Sequence, residues 1–212
     1  MTNFLQTVPY ILIGLLALMF MITIHEFGHY SADLTFGSIT SLDLAEVQSQ
    51  GNEMMFMAYL QENNLIDEDI VDSYVYNEIW NITSTVLVGC AINELEQYAY
   101  TQTFTQDSLE SKWNEIQTRY GFESGSSSSD YMYRVLLNYH VYYISYAVSA
   151  LASLQIYAKS LVSLTDAKTA YNSICKKESK NERFLDSLTN AGLGSIFEES
   201  SYQLIASIDD LI

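Results

Sequence analysis

Apolar residues occupy positions 8–24 of the chain with few interruptions. A run of about 17 apolar positions is at the lower limit of length for a helix that spans a membrane. The pattern therefore predicts a helix that is either buried inside a larger protein or in contact with a membrane. Residues 1–7 carry no positive charge and no small-residue cleavage site follows, which disfavours a secretory signal peptide.

Beyond this run, apolar positions recur at helical spacing along most of the chain. The predicted helices cover residues 44–62, 67–100, 108–120, 131–164, 166–175, 182–189 and 200–212. The Gly- and Ser-rich residues 121–130 predict a flexible loop. A single proline and the lack of a sustained period-two pattern argue against a sheet, apart from a short extended stretch at residues 35–40. These patterns predict an all-α fold.

The composition narrows the classes of partner. The 212 residues are 49% apolar, which is enough for a sizeable core and argues against disorder. There are 26 acidic residues but only 9 Lys and Arg, and the net charge of −17 disfavours nucleic acid and anionic membrane surfaces as partners. No Lys or Arg precedes Lys112, so the 15 acids of residues 1–111 give a charge of −15 with histidine neutral. This excess suggests a bound cation or a missing basic partner surface, although an acidic solvent-facing surface would also explain it.

The candidate chemistry is concentrated in the H-E-x-x-H sequence His25-Glu26-Phe27-Gly28-His29, directly after the apolar run. On a helix, residues four apart face the same way, so both imidazoles can reach one Zn²⁺ ion. Glu26 lies beside them and can take a proton from a water that the metal makes acidic. The motif therefore predicts a zinc hydrolase, and the alternative is a pair of histidines packed in a core.

A catalytic zinc needs a third protein ligand. The downstream candidates are Asp33, Asp43, Glu46 and Glu53. Sixteen residues separate Glu46 from His29, which is enough for the chain to turn and begin a second helix. On that helix Glu46, Gln50 and Glu53 share a face, so one of them could bind the metal while the others hold the ligands in place.

These two blocks resemble the thimet oligopeptidase and oligoendopeptidase F family of zinc metallopeptidases, peptidase family M3. The resemblance rests on H-E-F-G-H at residues 25–29 and on L-D-L-A-E-V-Q-S-Q-G-N-E at residues 42–53. It implies an all-α, multi-helix, zincin-like catalytic domain with H-E-x-x-H on a buried helix. It also implies hydrolysis of peptide substrates, a single Zn²⁺ ion and a cytoplasmic location.

The resemblance also implies roles for individual residues. The implied zinc ligands are His25, His29 and Glu46. Glu26 is the implied general base, which would later pass its proton to the leaving amine. Glu53 matches the family's later glutamate, seven residues after the ligand glutamate.

A third block, residues 139–149, resembles the histidine- and tyrosine-containing segment of the same family. In the family, these side chains flank the bound peptide and hydrogen-bond the tetrahedral intermediate. The matching positions are His140, Tyr143 and Tyr146, with Tyr142 a further candidate. A phenol or an imidazole can donate to a developing oxyanion without carrying a permanent negative charge. Packing of an aromatic helix in a core is the alternative role for these tyrosines.

The resemblance covers residues 23–212, and residues 1–22 form a divergent apolar N-terminal helix outside it. Family members are usually much longer and have an N-terminal helical half that forms the other wall of a deep substrate channel. This sequence has no counterpart of that half, so an inactive zinc- or peptide-binding remnant is one alternative. A site-2-type intramembrane metalloprotease is another, because members of that class place H-E-x-x-H near the cytoplasmic end of a first membrane helix, and residues 8–29 resemble this arrangement. That class needs several further spans, and no other apolar run here has membrane length.

Overall fold

The structure is a computed structural model that describes residues 2–37, 41–64, 66–122, 136, 139–176 and 182–208. These residues form eight helices and no strand. The helices are α1 (Thr2–Phe36), α2 (Leu42–Asn63), α3 (Glu68–Thr101), α4 (Gln106–Tyr120), α5 (Tyr143–Val162), α6 (Leu164–Cys175), α7 (Phe184–Asn190) and α8 (Glu199–Ala206). The all-α fold predicted from the sequence is confirmed.

Local sequence signals explain where two of these helices begin and end. Asp67 caps the start of α3, where its side chain accepts a hydrogen bond from the backbone N–H of Asp69. Thr105 and Ser108 form a reciprocal capping box at the start of α4, and Gly121 ends that helix with a φ of 76°. These caps provide partners for backbone groups that helix ends otherwise leave unpaired.

Two segments differ from the predicted elements. Helix α1 runs to the residue before Gly37, so the start of the extended stretch predicted at residues 35–40 is helical instead. Within the described residues, a turn at residues 139–142 interrupts the helix predicted over 131–164, and α5 begins at Tyr143. The predicted Gly- and Ser-rich loop lies outside the described residues from position 123 onward.

Helix α5 connects the parts of the core, because it packs against α2, α3 and α6. On one side, Leu154 and Tyr157 belong to an apolar cluster with side chains of α2 and α3. On another side, Ala152 and Ile156 pack with side chains of α2, α6 and α7. Burying one such leucine or isoleucine side chain contributes roughly 1.5–3 kcal/mol. The position of α5 relative to α2 and α3 is therefore fixed by packing on several sides.

The helix that carries H-E-x-x-H is buried on one face, at Gly28 and Ala32, where it packs on α2. Closer to the N-terminus of this helix, nine large apolar side chains between Ile11 and Ile22 are each more than half exposed. Among the described residues, this helix alone is long and apolar enough to cross a membrane, and 6% of that stretch is buried. One such helix is weak support for a span, so membrane contact through residues 8–24 stays a prediction.

Gly28 allows α1 and α2 to approach each other closely. A Cβ atom at this position would lie 2.5 Å from the backbone oxygen of Gln48 and 2.8 Å from Cα of Ser49. Both atoms belong to the backbone of α2, so they cannot rotate away as a flexible side chain could. The same contact is held by Asn52, whose side-chain amide donates to the backbone oxygen of Ile24 at 2.9 Å. The glycine within H-E-x-x-H is therefore required for helix packing.

Replacing Gly28 with alanine is expected to lower the free energy of unfolding by about 1–3 kcal/mol, because the added methyl group overpacks the contact between two backbones. Gly14→Ala is the matched control, since it lies on the same helix and a Cβ there meets nothing within 4 Å. Urea unfolding of the two variants measures the difference. Equal midpoints for both variants would show that the contact at Gly28 does not limit stability.

Candidate metal centre

Three potential ligand atoms converge where α1 meets α2. Nε2 of His25 lies 4.0 Å from Oε2 of Glu46, and Nε2 of His29 lies 3.9 Å from the same oxygen. One ligand atom from each residue lies within 4.8 Å of the other two. These separations are too long for hydrogen bonds and suit atoms that face a common centre. Two imidazoles and one carboxylate are a donor set that holds catalytic zinc, so the residues fit this ion.

Glu53 orients the first histidine. Nδ1 of His25 and Oε1 of Glu53 are hydrogen-bonded at 2.9 Å, which leaves Nε2 of the same ring to face the other two ligands. This hydrogen bond raises the pKa of His25 above its ordinary value, and burial acts in the opposite direction. Glu53 thus contacts the side of the His25 ring that faces away from the other two candidate ligands, and the hydrogen bond restrains the orientation of the ring.

Glu46 is the most buried of the three candidate ligands, with 4% of its surface exposed. Burial raises the pKa of Glu46, while both histidines and the hydroxyls of Ser49 and Tyr146 act to lower it. The Ser49 hydroxyl lies 3.4 Å from Oε2 of Glu46. A cation held between the three ligands would favour the ionised carboxylate for the same electrostatic reason as the histidines do. The surroundings of Glu46 thus suit a ligand that is charged when a metal is bound.

Tyr146 brings a phenol from α5 to the same place, and Tyr142 supports it. The two hydroxyls are hydrogen-bonded at 2.6 Å, and the Tyr146 hydroxyl lies close enough to Glu46 to affect the pKa of that carboxyl group. Burial, together with the hydrogen bond to Tyr142 and the charge of Glu46, holds the pKa of Tyr146 far above its ordinary range. The phenol of Tyr146 therefore keeps its proton at neutral pH and can donate it in a hydrogen bond.

Three other predicted residues lie around this centre. Glu26 is exposed, and its negative charge is one of the influences that raise the pKa of His25. Gln50 donates to the backbone oxygen of Tyr146 at 3.5 Å and accepts from the hydroxyl of Ser149 at 2.9 Å, so it links α2 to α5. The ring of Tyr143 lies beside that of Tyr146 and packs against the apolar cluster formed by α3 and α4.

His140 lies in an exposed turn before α5. The next residue, Val141, has a φ of 58°, and its N–H donates to Oε1 of Glu96 at 2.7 Å. This positive φ interrupts the helix that the sequence predicts through this region. Burial raises the pKa of Glu96, and the hydrogen bond from Val141 and the nearby His140 act to lower it. Among the residues that the structure describes, no contact joins His140 to the three candidate ligands, so its predicted role at the oxyanion stays a prediction.

Sequence reasoning missed Glu78, a buried carboxyl group close to this centre. It is 5% exposed, and burial together with the charge of Glu53 raises its pKa to about 7. A signal was present in the sequence, since Glu78 lies three residues after Val75 and four before Ile82, both of which are buried. An acid within the apolar stripe of a helix is unusual and indicates a special environment.

Comparisons with known proteins bear on the fold of this chain. No protein-family model matches the sequence, and no curated protein does. A crystal structure of a Bacillus anthracis str. Ames protein named as an oligoendopeptidase F aligns with a TM-score of 0.69 and 18% identity, over 90% of this chain and 33% of that one. A 3.1 Å X-ray structure under the same protein name aligns with a TM-score of 0.67 and 17% identity, over 88% and 34%.

The chain shares their fold. It spans about one third of the length of these two solved chains, so the likeness concerns a part of each. The shared part contains nearly all of this chain and therefore includes most of the helices around the candidate metal centre.

Glu53→Gln is expected to weaken zinc binding about 10–100-fold, because a neutral amide holds the His25 ring less strongly than a carboxylate does. Glu62→Gln, an exposed position on the same helix, is the control and should leave the affinity unchanged. Competition for zinc against a chelating dye measures both variants. If Glu53→Gln binds zinc as tightly as the control, Glu53 does not position the ligand.

Proposed function

We propose that this chain is the catalytic part of a zinc-dependent peptidase of the oligoendopeptidase F type, which hydrolyses internal bonds of short peptides. The observation that carries the proposal is the convergence of His25, His29 and Glu46 at one point, with Glu26 next to the first histidine in sequence. The fold shared with two structures named as oligoendopeptidase F supports it. Membership of the same family is part of the proposal.

In this proposal, the three convergent residues hold one Zn²⁺ ion. When bound, zinc supplies a Lewis acid for the peptide carbonyl and makes water acidic enough to act as a nucleophile near neutral pH. Glu53 keeps the ring of His25 in the orientation that leaves Nε2 available. The buried carboxylate of Glu46 completes the set and neutralises part of the positive charge.

Glu26 performs the proton transfers. Its side chain is exposed next to His25, so it is accessible to water and substrate. The carboxylate takes a proton from the attacking water, whose oxygen bonds to the peptide carbon. Glu26 then delivers that proton to the amide nitrogen as the carbon–nitrogen bond breaks. Hydroxyl and hydrogen of the water thus end on the two products, and Glu26 returns to its ionised form.

Tyr146 stabilises the charge that develops on the carbonyl oxygen. Its hydroxyl remains protonated, lies beside Glu46 and is oriented by Tyr142. A fixed donor of this kind is worth most when the oxygen carries full negative charge, which occurs in the transition state. His140 and Tyr143 remain candidates for a second donor, on the strength of the sequence resemblance alone.

Glu26→Gln is expected to lower the rate of cleavage of a quenched fluorescent peptide by about 10²–10⁴-fold, because the amide cannot accept the proton. Zinc content should stay at that of the wild type, since Glu26 is not among the three ligands. Glu62→Gln serves as the control for a lost surface charge. Stoichiometric zinc without cleavage in the wild-type chain would support the inactive remnant, and the absence of bound zinc would contradict the whole proposal.

Tyr146→Phe is expected to lower kcat by about 10²–10³-fold with little change in KM, because the lost donor acts mainly in the transition state. Tyr76→Phe on α3 is the control, since Tyr76 is exposed. Steady-state kinetics on the same peptide separate the two constants. A raised KM with an unchanged kcat would show that Tyr146 binds substrate without stabilising the oxyanion.

A further inference from the structure

A cavity of about 250 Å³ opens directly beside the candidate metal centre. Its walls come from α1, α2, α3 and α5, and His25 and Tyr146 contribute to them. The cavity has roughly eight times the volume that one water molecule occupies in the liquid, about 30 Å³. It is also smaller than the pockets of about 300–1,000 Å³ that take drug-sized ligands. These dimensions suit one long side chain of a peptide.

The polar part of the cavity wall carries negative charge. Glu53 and Glu78 both line it, and the lining contains no Lys or Arg. The carboxylate of Glu53 is hydrogen-bonded to His25, which partly compensates its negative charge. Glu78 is 5% exposed. Within the described part of the chain, no hydrogen bond or ion pair to its carboxyl group is found. A carboxylate in a largely buried position is incompletely hydrated, and a cation entering the cavity would stabilise its charged form.

The remaining lining residues match the two parts of a basic side chain. Met21 and Ile82 are apolar and can pack against a hydrocarbon stem. Asn81 and Thr85 follow Glu78 along α3 and offer neutral oxygen acceptors. The Thr85 hydroxyl already donates to the backbone oxygen of Asn81, so its lone pairs remain for an incoming N–H group.

We propose that this cavity binds a lysine or arginine side chain of the substrate next to the bond that is cleaved, with Glu78 as the residue that selects the positive charge. The inference rests on the proposed peptidase function, and it adds the class of substrate. The nearness of His25 and Tyr146 places the bound side chain within one or two residues of the reacting carbonyl. Glu78 lines the same cavity as His25 and Tyr146, so a basic side chain that enters the cavity from the metal centre meets this carboxyl group.

The test uses N-terminally acetylated, quenched fluorescent peptides, so that a free terminal amine cannot supply the cation. Each peptide differs from a norleucine reference by one lysine or arginine, placed in turn at every position around the cleaved bond. The wild-type chain is expected to prefer a basic residue at one position by at least about tenfold in kcat/KM. In Glu78→Gln this ratio should fall to near one, whereas in Glu62→Gln it should stay at the wild-type value.

A second measurement does not need turnover. Fluorescence anisotropy of the same peptides, labelled and mixed with Glu26→Gln, reports binding alone, and the basic peptide should bind at least about tenfold more tightly than the norleucine peptide. Adding Glu78→Gln to that protein should abolish the difference. Thermal unfolding of Glu78→Gln checks the fold, and its melting temperature should not fall, because the substitution removes an unpaired buried charge.

The outcomes separate this inference from the proposed function. Cleavage at equal rates with and without a basic residue would overturn the cavity's role and leave the peptidase intact. Tighter binding of basic peptides without any cleavage would support the cavity and contradict the peptidase. A preference for basic residues that survives Glu78→Gln would overturn the assignment of Glu78.

Discussion

The close contact between α1 and α2 at Gly28 is the constraint on which the site depends. The two histidines lie on one helix and Glu46 and Glu53 on the other, so the separation of the helix axes sets the distances between the histidines and these two glutamates. Backbone meets backbone at this point, which leaves no side chain to adjust. The amide of Asn52 adds a polar link one turn away, and this link fixes the rotation of α1 about its own axis.

The second constraint is the position of α5. Its short side chains, such as Ser149 and Ala150, allow α2 and α3 to pack closely on it. A hydrogen bond from Ser149 to Gln50 also links α5 to α2, and α5 brings Tyr146 close to Glu46. One packed helix therefore holds the phenol of Tyr146, supports the helix that carries Glu46 and contacts α3, which carries Glu78. The candidate ligands, this phenol and the cavity are parts of a single packing arrangement.

The sequence was sufficient for the parts of this arrangement that depend on spacing along one helix. The i, i+4 histidines and the shared face of Glu46 and Glu53 follow from helical geometry, and the all-α fold follows from the periodicity. Contacts between distant helices were not predictable in the same way. The approach of Tyr146 to Glu46 depends on how α5 packs on α2, and the cavity depends on how α3 meets α1, for which no local pattern exists.

The exposed apolar side chains of α1 also influence how copies of this chain associate in solution. A large exposed apolar surface favours self-association, whereas a net charge of −17 keeps copies apart. The repulsion acts over a screening length that shrinks from about 30 Å at 0.01 M salt to about 8 Å at 0.15 M. The apolar attraction acts only at contact and is not screened. Added salt therefore moves this chain toward aggregation, and colloidal stability is greatest in dilute buffer.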